Sequence, residues 1–262
     1  MTDQELATLL LGARQTGTPV PTGPAPSDAA QAYRVQRLVM AELGEIGGWK
    51  VGASGPEGPI SCAPMPAQGV FDKPVVLDST LFTQRDVESE ICFRLKADLP
   101  PREAPYGALE IMDAVASCHP GIEVLQSRYA KPEDVGPLAL LADFIQTGAF
   151  VVGDRIESAA LLHDFQVKPF VWRLKTADHV KQTTTPGVVK TADANPAGDM
   201  IRLIQWLADV GAVWAGGLRA GQIVTCGSWT GKTPVPAGGN VNTEFEGANP
   251  LTIHFTPLSE PS

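Results

Sequence analysis

The nine residues Val87-Glu88-Ser89-Glu90-Ile91-Cys92-Phe93-Arg94-Leu95 restrict the fold more than any other stretch. At a period of two, Val87, Ser89, Ile91, Phe93 and Leu95 fall on one, mostly apolar side, and Glu88, Glu90, Cys92 and Arg94 on the other. A strand rises about 3.3 Å per residue, which sets the two glutamates on one face with Cα atoms roughly 6–7 Å apart. Carboxylates that close repel each other unless a proton or a cation lies between them. The competing explanation is an exposed edge strand, where charges at alternate positions are common.

Two more charges bear on that choice. Glu123 is alone in the apolar run Ile122-Glu123-Val124-Leu125, and Lys50 is alone in Trp49-Lys50-Val51-Gly52. Isolated charges in apolar strands need partners. Three carboxylates around a hard divalent cation, with the remaining positions left to water or substrate, satisfy all of them. His163, His179 and His254 lack metal-ligand spacing, so an acidic site of this kind favours Mg²⁺ or Mn²⁺ over Zn²⁺.

Two other motifs fail on inspection. Gly227-Ser228-Trp229-Thr230-Gly231-Lys232-Thr233 is one residue too short for a phosphate-binding loop, and Pro234 and Pro236 follow where a helix is required. Cys118-His119 would point to opposite sides of a strand, which makes a buried structural Cys the better reading than a nucleophile and its base.

Elsewhere the pattern predicts helices over residues 4–14 and 27–43, the second capped by Ser27 and ended by Gly44. A short strand is expected over 47–52. The Pro- and Gly-rich segment 54–68 reads as an irregular loop, either a lid or a surface excursion. A helix over 106–117, a turn at Pro120-Gly121, strands over 122–125 and 147–153, and a helix over 197–210 capped by Asn195-Pro196 complete the middle. Strands at 222–226, 240–245 and 251–255 follow. Helices bracket runs of strands without regular βαβ alternation, so the fold class is α+β.

The chain has 262 residues and a formal net charge of −9. That acidity argues against nucleic acid or an anionic membrane as partner and leaves room for a small anion only if a cation shares its pocket. Four scattered cysteines without a Cys-x-x-Cys pair fit a reducing cytoplasm. The first residues do not read as a signal peptide and no apolar run reaches membrane-spanning length, so the expected localisation is cytoplasmic.

Five motifs in order carry a family resemblance: Ala32-Tyr33-Arg34-Val35-Gln36, Gly48-Trp49-Lys50-Val51-Gly52, Glu88-Ser89-Glu90-Ile91-Cys92-Phe93, Gly121-Ile122-Glu123-Val124 with Ser127-Arg128, and Gly227-Ser228-Trp229-Thr230. Over residues 9–255 the chain resembles the 2-keto-4-pentenoate hydratases and 4-oxalocrotonate decarboxylases of the fumarylacetoacetate hydrolase superfamily. The resemblance implies one domain over 1–262, with a helical layer at 1–46 and a mixed β-roll core at 47–262. It implies Glu88, Glu90 and Glu123 as ligands of Mg²⁺ or Mn²⁺, Lys50 as the active-site lysine, Asp72 as an acid near the substrate, and Ser228 and Thr230 as substrate contacts. It further implies a homo-oligomer, with association with a partner pathway enzyme as an additional expectation.

The sequence departs from the family at Gln126, where an Asp is common, at Phe144, where Asn is common after Asp143, and over Val70-Phe71-Asp72-Lys73-Pro74. Residues 170–191 follow it poorly. The expected activity is a metal-dependent hydratase adding water to a 2-hydroxydienoate or 2-oxo-enoate, such as 2-hydroxypenta-2,4-dienoate, in the catabolism of aromatic compounds. Lys50 or Asp72 would move the protons, given a pKa displaced toward neutrality. Vinylogous decarboxylation is the nearest alternative. A non-catalytic binding homologue is the other, and a pocket filled by Phe144 or Trp229 would mark it.

Overall fold

The computed structural model describes residues 1–72, 75–156, 180–185, 188–192, 195–245 and 247–258. His163 and His179, and residues 170–179 of the poorly matching segment, lie outside them.

Two helices open the chain. In α1 (Asp3–Thr16), Thr2 and Glu5 form a capping box and Gly17 closes the end in the left-handed conformation. In α2 (Ala29–Leu43), the N-cap is Asp28 rather than Ser27: its carboxylate accepts the Gln31 N–H at 2.7 Å. Leu6, Leu10, Val35, Val39 and Met40 pack between the two helices. Tyr33 and Gln36 then dock the layer on the sheet. The Tyr33 hydroxyl accepts the Cys62 N–H at 3.3 Å, and the Gln36 amide donates to Cys62 O at 3.2 Å and to Leu141 O at 2.6 Å.

The strands are β1 (Ile46–Ala53), β2 (Ile60–Pro66), β3 (Val70–Asp72), β4 (Val76–Leu77), β5 (Asp86–Leu95), β6 (Val115–Leu125), β7 (Thr147–Val152), β8 (Val180–Thr185), β9 (Val188–Ala192), β10 (Ile223–Ser228), β11 (Thr233–Pro234), β12 (Asn240–Phe245) and β13 (Leu251–Phe255). Helices α3 (Ala108–Ala114), α4 (Pro137–Ala142) and α5 (Met200–Trp206) lie between them. One sheet has the order β2-β1-β10-β5-β6-β7-β3, with β11 also on β5; the other has the order β4-β13-β12-β8-β9. Both mix parallel and antiparallel pairs, as expected for α+β. The sheets meet through Ser89, whose hydroxyl donates to Gln182 Oε1 at 2.8 Å and lies 2.7 Å from the Thr243 hydroxyl.

Several further expectations change. Half of the segment read as an irregular loop is β2, which pairs with β1 despite Pro64 and Pro66. It is an edge strand, where a missing N–H breaks no ladder on the outer side. The helix expected over 106–117 shortens to α3, because Val115 starts β6 and that strand runs straight through Pro120-Gly121. Pro120 keeps its carbonyl in use, accepting the Gly153 N–H at 2.8 Å. Gly121 is required because a Cβ there would lie 2.3 Å from Phe150 Cζ. In the late helix, Asp199 rather than Asn195 is the N-cap, and Asn195 instead binds Cys226 O at 3.0 Å. Finally, β5 is the middle strand of its sheet, so the edge-strand explanation of the glutamates falls.

One turn is strained. After α4, Phe144, Ile145 and Gln146 all have positive φ, at 55°, 51° and 65°. Each costs about 1–2 kcal/mol for an L-residue. A buried ion pair braces the turn: Asp143 accepts the Arg128 side chain, the Arg128 N–H at 2.8 Å and the Ser127 hydroxyl at 3.0 Å. Arg128 also donates to Asp143 O and Thr147 O, both at 2.9 Å. Phe144 is fully buried among the N-terminal helices, with the Arg14 guanidinium 4.6 Å above its ring.

Replacing Arg128 by Leu leaves Asp143 buried and unpaired. The expected loss is about 3–5 kcal/mol of unfolding free energy, measured by urea denaturation. A loss below about 1 kcal/mol, within the range of exposed pairs, would show that the pair does not brace the turn.

Candidate metal centre and active site

The register of three strands assembles the carboxylates. Glu88 lies directly opposite Glu123 across the β5–β6 ladder, and Glu90 lies opposite Gly121, two residues along on the same face. One ligand oxygen from each of Glu88, Glu90 and Glu123 lies within 4.8 Å of the others. Glu90 and Glu123 are buried and Glu88 is half-buried. Beyond Glu90 the same face closes over an apolar floor of Met65, Cys92, Phe150, Val152 and Ile223.

Lys50 joins this group from β1. Its Nζ lies 2.5 Å from Glu123 Oε1 and donates to Ile145 O at 3.1 Å, in the strained turn. Thr147 donates to the same Glu123 oxygen at 3.0 Å, and Thr225 donates to Glu90 Oε2. Glu123 Oε2 is buried without a hydrogen-bond partner. A buried carboxylate oxygen without a partner, on one of three clustered glutamates, is what a hard cation would satisfy, and a donor set of oxygens suits Mg²⁺ or Mn²⁺.

The electrostatics follow from crowding. Burial pushes the Glu90 carboxyl well above its ordinary value, and the charges of Glu123 and Glu88 push it further; Lys50 and Thr225 oppose this in part. Glu88 is also raised, by burial first and Glu123 second. Burial pulls Lys50 down, but the three glutamates outweigh it and its pKa ends above the ordinary value. The expected displacement toward neutrality is therefore reversed in the protein alone.

The remaining expected residues separate. Ser228 is the β10 partner of Glu90; its hydroxyl accepts the Gly231 N–H at 2.8 Å and lies close enough to Glu88 to draw that carboxyl down slightly. Thr230 is turned toward the second sheet, donating to Gln182 Oε1 at 2.9 Å and accepting the Ser89 N–H at 3.1 Å. Asp72 is not brought to the carboxylates: it sits three strands from β5 in the sheet order, largely exposed and paired with Arg94. Neither aromatic candidate fills the site. Phe144 belongs to the helical layer, and Trp229 packs edge-on against Phe245, 5.6 Å between centroids, in the core on the other side of the sheet. Gln126 pins the neighbouring loop, accepting the Gln84 N–H and donating to Thr83, both at 3.0 Å. A groove of about 850 Å³ opens beside that loop, lined by Arg14, Gln84, Asp86, Gln126 and Arg128 among others, and by none of the three glutamates.

Four residues at the site went unnoticed in the sequence. Thr225 and Thr147 are single hydroxyls in apolar strands, the same signal that exposed Glu123 and Lys50. Gln146 and Lys232 gave no such signal. Lys232 donates to Gln146 Oε1 across the Glu88 side of the cluster, and its charge acts on Glu88.

No family model matches the chain. It is 25% identical over 261 residues to a 4-oxalocrotonate decarboxylase of a Pseudomonas species, covering 91% of each chain. It is also 25% identical over 255 residues to a 2-keto-4-pentenoate hydratase of Paraburkholderia phymatum, covering 93% of this chain and 92% of the relative. Among solved structures, it superposes on 4-oxalocrotonate decarboxylase from Pseudomonas putida G7, complexed with magnesium and adipate, with a TM-score of 0.77 at 19% identity over 97% of this chain and 98% of that one. A yeast fumarylacetoacetate hydrolase family protein matches with a TM-score of 0.56 at 10% identity, over 82% and 94%. The chain thus shares its fold, mixed sheets with N-terminal helices, with that decarboxylase, and most of it with the yeast protein. In sequence the chain is similar, at 25% identity over more than nine-tenths of its length, to a decarboxylase and to a hydratase.

The raised glutamates set a pH dependence. In the folded state Glu88 and Glu90 hold protons more tightly than the ordinary value of 4.5. Their favourable contribution is complete below that value and is lost as pH rises through the folded pKa. In EDTA, the melting temperature of Glu90→Gln should therefore gain on that of the wild type as pH goes from about 5 to 8. A constant difference across that range would mean Glu90 is not strained by its neighbours.

Proposed function

We propose that the protein is a divalent-metal-dependent lyase acting on a small anionic 2-oxo-enoate or its dienol, and that its reaction is the addition of water. The observation that carries this is the buried Glu88–Glu90–Glu123 cluster, with one orphaned carboxylate oxygen and one lysine at hydrogen-bond distance. Glu88, Glu90 and Glu123 would hold the ion. When bound, a hard divalent cation supplies Lewis-acid stabilisation of the negative charge that builds at the substrate's 2-oxygen, and it offsets the glutamate charge that otherwise keeps Lys50 protonated.

This chain's own groups do the rest. Lys50 is the proton carrier: fixed by Glu123 and Ile145 O, it delivers a proton to C5 of a 2-hydroxy-2,4-dienoate as the enol proton leaves, giving the conjugated 2-oxo-3-enoate. Water then adds at C4 and a proton is returned to C3, which conserves all atoms of substrate and water. Thr147 and Thr225 hold the Glu123 and Glu90 carboxylates in one orientation. Ser228, opposite Glu90 across the ladder, supplies the polar wall on the Glu88 side. The apolar floor excludes bulk water from the inner side, which strengthens each of these contacts. Asp72 takes no part in this scheme, since its carboxylate is engaged by Arg94 away from the cluster.

Loss of CO₂ from a diacid uses the same charge sink, and the decarboxylase relatives favour it as a second reading. Incubating the Mg²⁺- or Mn²⁺-loaded protein with 2-hydroxypenta-2,4-dienoate should bleach the dienol absorbance without CO₂ release. Release of CO₂ from 2-oxohex-3-enedioate with no action on the monoacid would select the second reading, and absence of both would count against a lyase. Glu90→Gln should fold normally and abolish Mn²⁺ binding in titration calorimetry; unchanged affinity refutes the ligand assignment.

A further inference from the structure

We infer that the groove beside the loop pinned by Gln126 binds a small monocarboxylate with an apolar body, held by the Arg14 guanidinium. None of the three glutamates lines this groove, so the metal-site reading does not bear on it.

Size and walls are the first observation. A concavity of about 850 Å³ lies within the range of small-molecule sites. Its apolar walls are Leu43 at the end of α2, Pro66 at the end of β2, Leu81 and Phe82 ahead of β5, and Pro132 after β6. Leu81 leaves 71% of its surface uncovered, area that an apolar ligand would take out of water.

Arg14 is the second observation. It stands in the last turn of α1, where a cation ordinarily faces the helix's own final carbonyls. Its side chain instead turns inward and is half-buried, with the guanidinium 4.6 Å above the Phe144 ring. Among the described residues its one hydrogen bond, to Thr147 O, is long at 3.4 Å, and it forms no ion pair. Asp143, the carboxylate whose charge it feels, is taken by Arg128. A guanidinium carries five N–H donors, so most of them are unspent. Burial and the Arg128 charge together pull its pKa down to about 9. An anion on the free N–H edge would pair this charge and replace the hydration that burial removed.

The lining also narrows the ligand. The planar fork of a guanidinium matches the two oxygens of a carboxylate. Of the two arginines on the lining, Arg128 spends its donors on Asp143 and Thr147 O, which leaves Arg14. Two acids line the groove as well: Asp86, which accepts the Gln84 amide at 2.9 Å, and Glu133, which is exposed. Both would repel a second negative charge, so the ligand is a monoanion, and the apolar walls take its ring or chain.

The test is run in EDTA, so that the metal centre plays no part. Titration calorimetry should find 3-phenylpropionate bound at least about tenfold more tightly than 3-phenylpropanamide, its neutral counterpart. In Arg14→Met that preference should fall to about one, and in Arg14→Lys part of it should remain. Leu81→Asp adds a like charge to the lining at an exposed position that leaves the fold intact, and should weaken the acid more than the amide. If melting curves show Arg14→Met to be unfolded, Leu81→Asp carries the test alone. A wild type that does not bind the acid, equal binding of acid and amide, or a preference unchanged in the folded variants overturns the inference. A wild type that does not bind the acid and whose sedimenting mass falls in Arg14→Met assigns the groove to contact with a second copy of the chain, which overturns it too.

Discussion

The structure depends on three carboxylates brought together where water cannot separate them. Glu88 and Glu90 share a face because a strand has a period of two, and Glu123 faces Glu88 because β6 runs antiparallel in a single register. A slip of one residue in either strand would send the pair to the opposite face, into the core formed by Ile91, Phe93 and their neighbours. The central place of β5 removes the usual escape, in which charges turn to solvent at an edge. Repulsion has then to be met inside the site, by Lys50 and by two threonine hydroxyls in the protein itself. Each helper comes from a different strand: β1, β7 and β10.

The N-terminal helices matter to the site because they hold the turn at residues 144–146. That turn costs about 3–6 kcal/mol at 1–2 kcal/mol per residue, comparable to a sizeable part of a domain's net stability. Burial of Phe144 among Leu6, Leu10 and Val39, together with the Arg128–Asp143 pair, offsets it. In return the turn delivers Ile145 O to Lys50 and the Gln146 side-chain oxygen to Lys232. Phe144, which looked in the sequence like a change in the substrate pocket, is a packing residue seen from the wrong side of the backbone.

What could be read from the sequence was whatever leaves a trace in periodicity. The alternation at 87–95 located β5, and single charges in apolar runs located Glu123 and Lys50, because burial of a lone charge is a strong constraint on what surrounds it. Strand β2 was hidden because Pro64 and Pro66 are poor strand formers except at an edge, and edge position is a tertiary fact. Pro120-Gly121 looked like a turn for a similar reason, since the space that demands Gly121 is set by Phe150 from β7. Asp72 was placed near the substrate by likeness of a short segment, and no periodic signal tied it to the glutamates. Gln146 and Lys232 were invisible: one depends on a backbone conformation that no local residue type announces, and the other lies on a Gly-rich loop whose course is fixed by contacts with β8, β9 and β5.

These two kinds of position divide the site by mechanical character. The carboxylate end is built from paired strands, where register fixes each side chain to its neighbours across several hydrogen bonds. The opposite end is built from a turn and a loop, where one substitution changes a donor without disturbing a ladder. Carboxylates fixed by strand register tolerate little displacement, whereas a turn or loop side chain can change alone. Side chains on the turn and the loop can therefore vary while Glu88, Glu90 and Glu123 stay where β5 and β6 put them. Gln126 and Phe144, the departures noted in the sequence, both lie outside the strands on which Glu88, Glu90, Glu123 and Lys50 converge.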